Sequence, residues 1–299
     1  MWSRILNLDM IRILGTIFAG LLGLAFGSFL NVCLSRWPAG ESVVKPRSHC
    51  RQCNRTLTWW ENVPLVSWLA LRGRCRTCHA WIGWRYPLEE LAVGVLWAMV
   101  AWRFCGVMGL LDPPAIDVAL ADVVGRMIFY WGLVALAVLD AENLWLPDWI
   151  TYPGIALGFL FALFLGPLDD SWWSWGNTAT LAAQRDLLAI LIVAGFMLLI
   201  RFVYWLLRRR EGIGLGDAKL MALLASWLGL QQALLSFGIG IVLGALVAIV
   251  LLIVPSARRG SESWALSKLP LGMFLCIGGI VSSLWGVRIL DAYFLWAEF

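Results

Sequence analysis

The sequence predicts an all-α polytopic membrane protein with about eight transmembrane helices and a small cytoplasmic zinc-binding module of four cysteines. Three observations lead there. Hydrophobic residues make up 61% of the 299-residue chain and charged residues only 14%, with a mean hydropathy of +0.80, far from the balance of a soluble domain. Apolar runs of about 20 residues, long enough to cross a hydrocarbon core of roughly 30 Å as helices, recur along the chain. Four of the seven cysteines crowd into one polar segment. Short alternating segments of the outer-membrane barrel type are absent.

Hydropathy places spans near 13–35, 88–111, 122–140, 150–168, 186–207, 218–230, 233–254 and 270–292. The stretch from Ile13 to Leu34 is long and lacks a clear small-x-small cleavage site, so it reads as a retained span and not a secretion signal. The sixth span is short, and with the seventh it could form a single element broken around Gln231 and Gln232. Three divisions follow: 1–36 as a first transmembrane helix, 37–87 as the four-cysteine module, and 88–299 as a transmembrane domain.

Loop charge sets the expected orientation. Residues 36–86 carry nine Lys or Arg against Glu41 and Glu61, and Arg208 to Arg210, Lys219, Arg258, Arg259 and Lys268 repeat that sign, whereas 112–121 and 168–184 contain no Lys or Arg. The basic loops should face the cytoplasm of a bacterial inner membrane, leaving both termini outside. A basic surface for nucleic acid is not implied, because the charge is confined to particular loops. Trp172, Trp173 and Trp175 suit an interfacial belt. Arg103, Arg126 and Arg201 lie close enough to span ends to snorkel.

Cys50 with Cys53 and Cys75 with Cys78 form two C-x2-C pairs separated by 21 residues, a spacing that suits tetrahedral zinc. A module this small buries little apolar core, so a metal crosslink would supply stability that packing does not. Reduced structural thiols, a redox pair or two disulfides are the alternatives, the last weakened by a cytoplasmic setting. Four thiolates complete a closed site, which leaves His49 and His79 as bystanders. Cys33, Cys105 and Cys276 read as small apolar packing residues.

Carboxylates at or within a span are costly to desolvate and require a partner, a wet cavity or a function. Asp140 ends the third span and Asp217 begins the sixth, both at cytoplasmic ends on this topology. Facing each other, they would share a proton, one acting as base toward water and the other as acid toward a peptide carbonyl. Gly212, Gly214 and Gly216 permit unusual backbone dihedrals and close approach of an extended substrate strand. The alternatives are a helix N-cap for Asp217 and an ordinary interfacial carboxylate for Asp140. Asp148, after Pro147, could simply cap the fourth span. No H-E-x-x-H or G-x-S-x-G is present for metalloprotease or serine chemistry.

These residues, with GSFLNVCLSRWP from Gly27, ENVPLVSWLALRGRC from Glu61, RYPLEEL from Arg85, the segment Asp140 to Asp148 and GLGDAKL from Gly214, resemble the bacterial type IV prepilin peptidase family. The resemblance implies a G-x-G-D aspartyl protease, with Asp140 and Asp217 catalytic, that removes a basic leader from prepilins and type II secretion pseudopilins after a glycine at the cytoplasmic face. It also implies N-methylation of the exposed residue with S-adenosylmethionine, associated with the Cys-bearing loop. Glu61, Asn62, Arg85 and Glu90 are candidates for that region, or equally salt-bridge and capping groups. Family members often carry Asp where this chain has Glu142. A peptidase without methylation, or a zinc-module receptor or transporter whose acids relay protons, are the competing readings.

Overall fold

The computed structural model describes residues 2–107, 113–165, 179–209, 214–253 and 269–297. Among these the regular structure is helical: α1 (Trp2–Arg36), the short α2 (Val66–Ala70), α3 (Arg85–Val107), α4 (Pro113–Asn143), α5 (Asp148–Leu165), α6 (Ala179–Arg208), α7 (Leu215–Ile253) and α8 (Leu271–Ala297). Stretches within α1, α4, α6, α7 and α8 are long and apolar enough to cross a membrane, and α5 is apolar but shorter. At 23 residues α3 is about 35 Å long, with charged residues near both ends. The helices generally overrun the hydropathy windows, because helical hydrogen bonding continues past the apolar core.

The expected sixth and seventh spans are the two helical halves of α7, 215–228 and 230–253, separated at Gly229, which adopts φ 74° and ψ 177°. The break falls just before Gln231 and Gln232, at the residue without a Cβ to oppose a left-handed φ. The 14 residues from Leu215 to Leu228 rise only about 21 Å. Ala218 and Leu220 to Ser226 are all buried, so two turns of this stub are enclosed by protein, while Leu215 at its start is about half exposed.

The chain forms two compact units, Met1–Ala135 and Leu136–Phe299. In the first, α1 and α3 meet along a seam of small residues. A Cβ on Gly23 would stand 2.9 Å from the Gly94 Cα, and one on Gly27 would stand 2.7 Å from the Glu90 Cα. Spaced three and four apart, Gly20, Gly23 and Gly27 share one helix face and let the backbones approach, the usual substitute for a hydrophobic drive in lipid. Indole N–H groups add cross-ties, Trp97 to the Met127 carbonyl at 3.0 Å and Trp131 to the Phe26 carbonyl at 3.1 Å.

The second unit is built around α7. Gln232, Ser236, Gly240 and Gly244 recur every fourth residue and face Gly278, Ser282 and Gly286 of α8. The Ser282 hydroxyl donates to the Gln232 carbonyl at 2.8 Å, and a Cβ on Gly240 would stand 3.0 Å from a Leu275 methyl. On the other side, the Trp227 indole donates to the Gly154 carbonyl of α5 at 2.9 Å.

Two of the remaining expectations are refined. Cys33 and Cys276 are buried, as packing residues should be, but Cys105 is only half-buried. Arg126 pairs with Asp122 one turn earlier at 2.6 Å. The Trp172, Trp173 and Trp175 belt, with Arg210, Arg258, Arg259 and Lys268, lies outside the described residues.

Candidate active site and metal centre

The two cysteine pairs fold as copies of one turn. The Cys50 N–H donates to the Arg55 carbonyl at 2.9 Å and the Asn54 N–H to the Cys50 carbonyl at 2.8 Å; Cys75 with Ala80, and His79 with Cys75, repeat this at 2.9 and 3.0 Å. Asn54 and His79, each following a second cysteine, turn the chain at φ 53° and 54°. Antiparallel bridges from His49 to Thr56 and from Arg74 to Trp81 close the turns. Little repeat is apparent in the sequence because only C-R-x-C recurs, while the shared feature is backbone geometry.

This folding gathers the four sulfurs within 4.8 Å of one another, with Cys50 to Cys78 at 3.7 Å and Cys53 to Cys75 at 4.0 Å. Zinc–sulfur bonds of about 2.3 Å in a tetrahedron set sulfurs about 3.8 Å apart, so the donor set fits zinc; disulfide bonds of about 2.05 Å do not fit. The Cys75 thiol is drawn down to about 6, chiefly by the backbone N–H groups of Cys78 and Thr77 aimed at its sulfur. The thiolate is the ligating form.

Glu61 is buried beside the first turn. One carboxylate oxygen accepts from Arg55 Nη2 at 2.5 Å; the other accepts the Thr58 N–H at 2.8 Å and its hydroxyl at 2.7 Å, completing a capping box. The Arg55 hydrogen bond above all, against the cost of burial, holds this carboxyl down at about 2. Asn62 is exposed. Arg85 donates to Glu89 at 2.6 Å. Glu90 is buried on α3 and accepts the Leu65 N–H at 2.8 Å. Leu65 itself is strained, with φ 57° and ψ −47°, and the Val66 N–H reaches back to the Pro64 carbonyl at 2.6 Å in a γ-turn of the rare hand. The sequence-level candidates Glu61, Arg85 and Glu90 thus all hold structural bonds.

Asp140 lies in the last turn of α4, 5% exposed, and its Oδ2 accepts the Met273 N–H from the first turn of α8 at 2.8 Å. Asp217 lies in the first turn of α7, where its Oδ2 accepts the Gly214 N–H at 3.1 Å. Each carboxylate therefore answers an orphan N–H at a helix start, where the macrodipole favours negative charge. The capping role foreseen for Asp217 is present, exercised from inside the first turn and not from the N-cap. Leu146 lies against both Gly216, beside Asp217, and Gly272, beside Asp140, so the two carboxylates share one neighbourhood, with fully buried Cys276 one turn along α8.

Small residues make this grouping possible. A Cβ on Gly216 would stand 3.2 Å from the Leu146 side chain; one on Gly272 would stand 2.8 Å from Asp140 Oδ2 and 3.0 Å from Leu146. Neither Gly214 nor Gly216 has a left-handed φ. The expectation of unusual dihedrals is therefore corrected: these glycines supply room. Gly212 lies outside the described residues. Sequence reasoning missed Leu146, Gly272 and the Met273 N–H; the Pro270-Leu271-Gly272 run opening the last span was the available signal. Asp148 opens α5 and pairs with Lys219 at 2.6 Å, whose ammonium also lies over the Tyr152 ring, tying α5 to α7.

A polytopic helical protein with two neighbouring carboxylates braced by N–H groups at helix starts, and a cysteine module in a separate unit, has the outline of an integral membrane peptidase. Residues 21–104 match the family model of the bacterial peptidase A24 N-terminal domain, and residues 127–249 match that of the type IV leader peptidase family. The chain belongs to the type IV leader peptidase family. It is similar to the prepilin leader peptidase/N-methyltransferase of Stutzerimonas stutzeri, with 34% identity over 307 residues covering 93% of each chain, and to that of Pseudomonas aeruginosa, with 33% identity and 93% of each covered. A third relative of the same description, from Myxococcus xanthus, is 36% identical over 86% of this chain and 68% of its own. No solved structure matches the chain.

Proposed function

We propose that the protein cleaves the basic leader of type IV prepilins and type II secretion pseudopilins at the cytoplasmic membrane face, then N-methylates the new terminus. The observation that carries the peptidase half is the convergence of Asp140 and Asp217 on one neighbourhood, where Leu146 packs against both Gly216 and Gly272 and each carboxylate is braced by one backbone N–H. In this reading the pair holds one proton. The ionised member takes a proton from water as the oxygen attacks the scissile carbonyl; the protonated member donates to the carbonyl oxygen. Collapse of the tetrahedral species returns that proton and passes another to the leaving amine. Gly214 leaves space for an extended substrate backbone, and Gly216 lets Leu146 pack beside it.

The four-cysteine site takes zinc in a structural role, through Cys50, Cys53, Cys75 and Cys78. The methyl-transfer region is assigned to Glu61, Asn62, Arg85 and Glu90 in the first unit, with Glu61 and Glu90 holding the segment between them in shape. S-adenosylmethionine, when bound, supplies the methyl group that the neutral amine accepts. Matching both family halves, with relatives that carry both activities in their description, supports a bifunctional enzyme.

The test is processing of a prepilin by purified protein carrying Asp140→Asn or Asp217→Asn. Each should lose cleavage by roughly 10²–10⁴-fold, the span of general acid–base catalysis, while thermal unfolding and metal content stay as in wild type. Normal cleavage by either variant would sink the paired-acid mechanism. Mass spectrometry of the mature terminus reads methylation separately.

A further inference from the structure

We propose that the tryptophan face formed by Trp68, Trp81 and Trp84, with Arg74 beside it, docks the cysteine module onto the anionic headgroup layer of the bilayer leaflet from which α3 emerges.

The three rings form one cluster, with centroids 4.4 Å apart for Trp68 and Trp84, 5.9 Å for Trp68 and Trp81, and 6.0 Å for Trp81 and Trp84. Trp68 is the anchor: its indole N–H donates to the Ile82 carbonyl at 3.0 Å, and Gly73 passes beneath it. Its two neighbours are left outward, Trp81 55% and Trp84 60% exposed, a large loss of burial for such rings.

Continuity with a lipid-facing surface identifies the occupant. Leu88, Leu91 and Val95 are exposed on α3 at spacings of three and four, which is one helix face, while the Gly94 side packs against α1. Trp84 stands four residues before Leu88 and its carbonyl accepts the Leu88 N–H at 3.2 Å, so it continues that stripe in helical register. Following the stripe outward, aliphatic side chains give way to indoles, the order met on passing from acyl chains to headgroups.

Charge completes the match. Between Glu61 and Glu89 there is no Asp or Glu, whereas Arg72, Arg74, Arg76 and Arg85 all lie there. The Arg74–Trp81 bridge sets a guanidinium beside the cluster, since bridge partners project to the same side. Arginines flanking aromatic rings at that depth attract anionic lipid.

Full-length protein with p-benzoylphenylalanine at position 81 or 84 is reconstituted in nanodiscs of phosphatidylcholine alone or with one-third phosphatidylglycerol, irradiated, and analysed by mass spectrometry. Lipid adducts at both positions, roughly threefold or more abundant with phosphatidylglycerol and reduced in high salt, are expected. Adducts to protein only, no adducts, or a yield indifferent to lipid charge would overturn the proposal. Unmodified protein guards against a misfolded variant: hydrogen exchange across 79–84 should slow on moving from detergent to the anionic nanodisc, and equal exchange would also overturn it.

Discussion

At residue scale, Glu61 shows how a side chain singled out in the sequence also carries structural bonds in three dimensions. Its carboxylate, held at about 2, satisfies Arg55 and Thr58 together. Because the folded value lies below the ordinary one, its contribution is complete above about pH 4.5 and fades as pH falls toward 2. Glu61→Gln should cost roughly 2 kcal/mol at pH 7, read by denaturant titration of the module's tryptophan fluorescence, and the difference from wild type should shrink in acid. The aspartates were legible as carboxylates in costly places. Leu146 and Gly272 were not, because their parts depend on which side chain lies within 3 Å across a helix packing, and no local pattern encodes that.

At the scale of the element, the break in α7 was visible as a short apolar run, but its location was fixed by backbone freedom at Gly229 and not by the polar Gln231 and Gln232. The small-residue seams were hidden because glycine and serine at fourfold spacing carry no hydropathy contrast. A methyl at position 278 would fall within the contact radius of the Ser236 carbonyl oxygen. Gly278→Ala should therefore push α8 from α7, cost about 1–3 kcal/mol and lower the melting temperature in detergent. Cleavage should fall with it, since α8 carries the Met273 N–H that holds Asp140. The duplicated cysteine turns were legible as spacing alone. Chelation of purified protein should remove one zinc per chain and expose segment 50–80 to protease, because little apolar core remains to hold it.

For the molecule as a whole, hydropathy was sufficient for the helical membrane class, and five stretches meet the length and composition needed to cross. The orientation argued from loop charge is testable: a reporter enzyme active only outside the cytoplasm should be active when fused after Phe299 and inactive when fused in segment 36–86. Lipid thickness acts on a protein through helices whose apolar length must match the slab around them. The α7 stretch from Leu220 to Ser226, one turn past Asp217, is buried all round, so thinning or thickening of the bilayer finds little to pull on there. The level of Asp217 is set chiefly by protein neighbours and much less by the fatty acids around them.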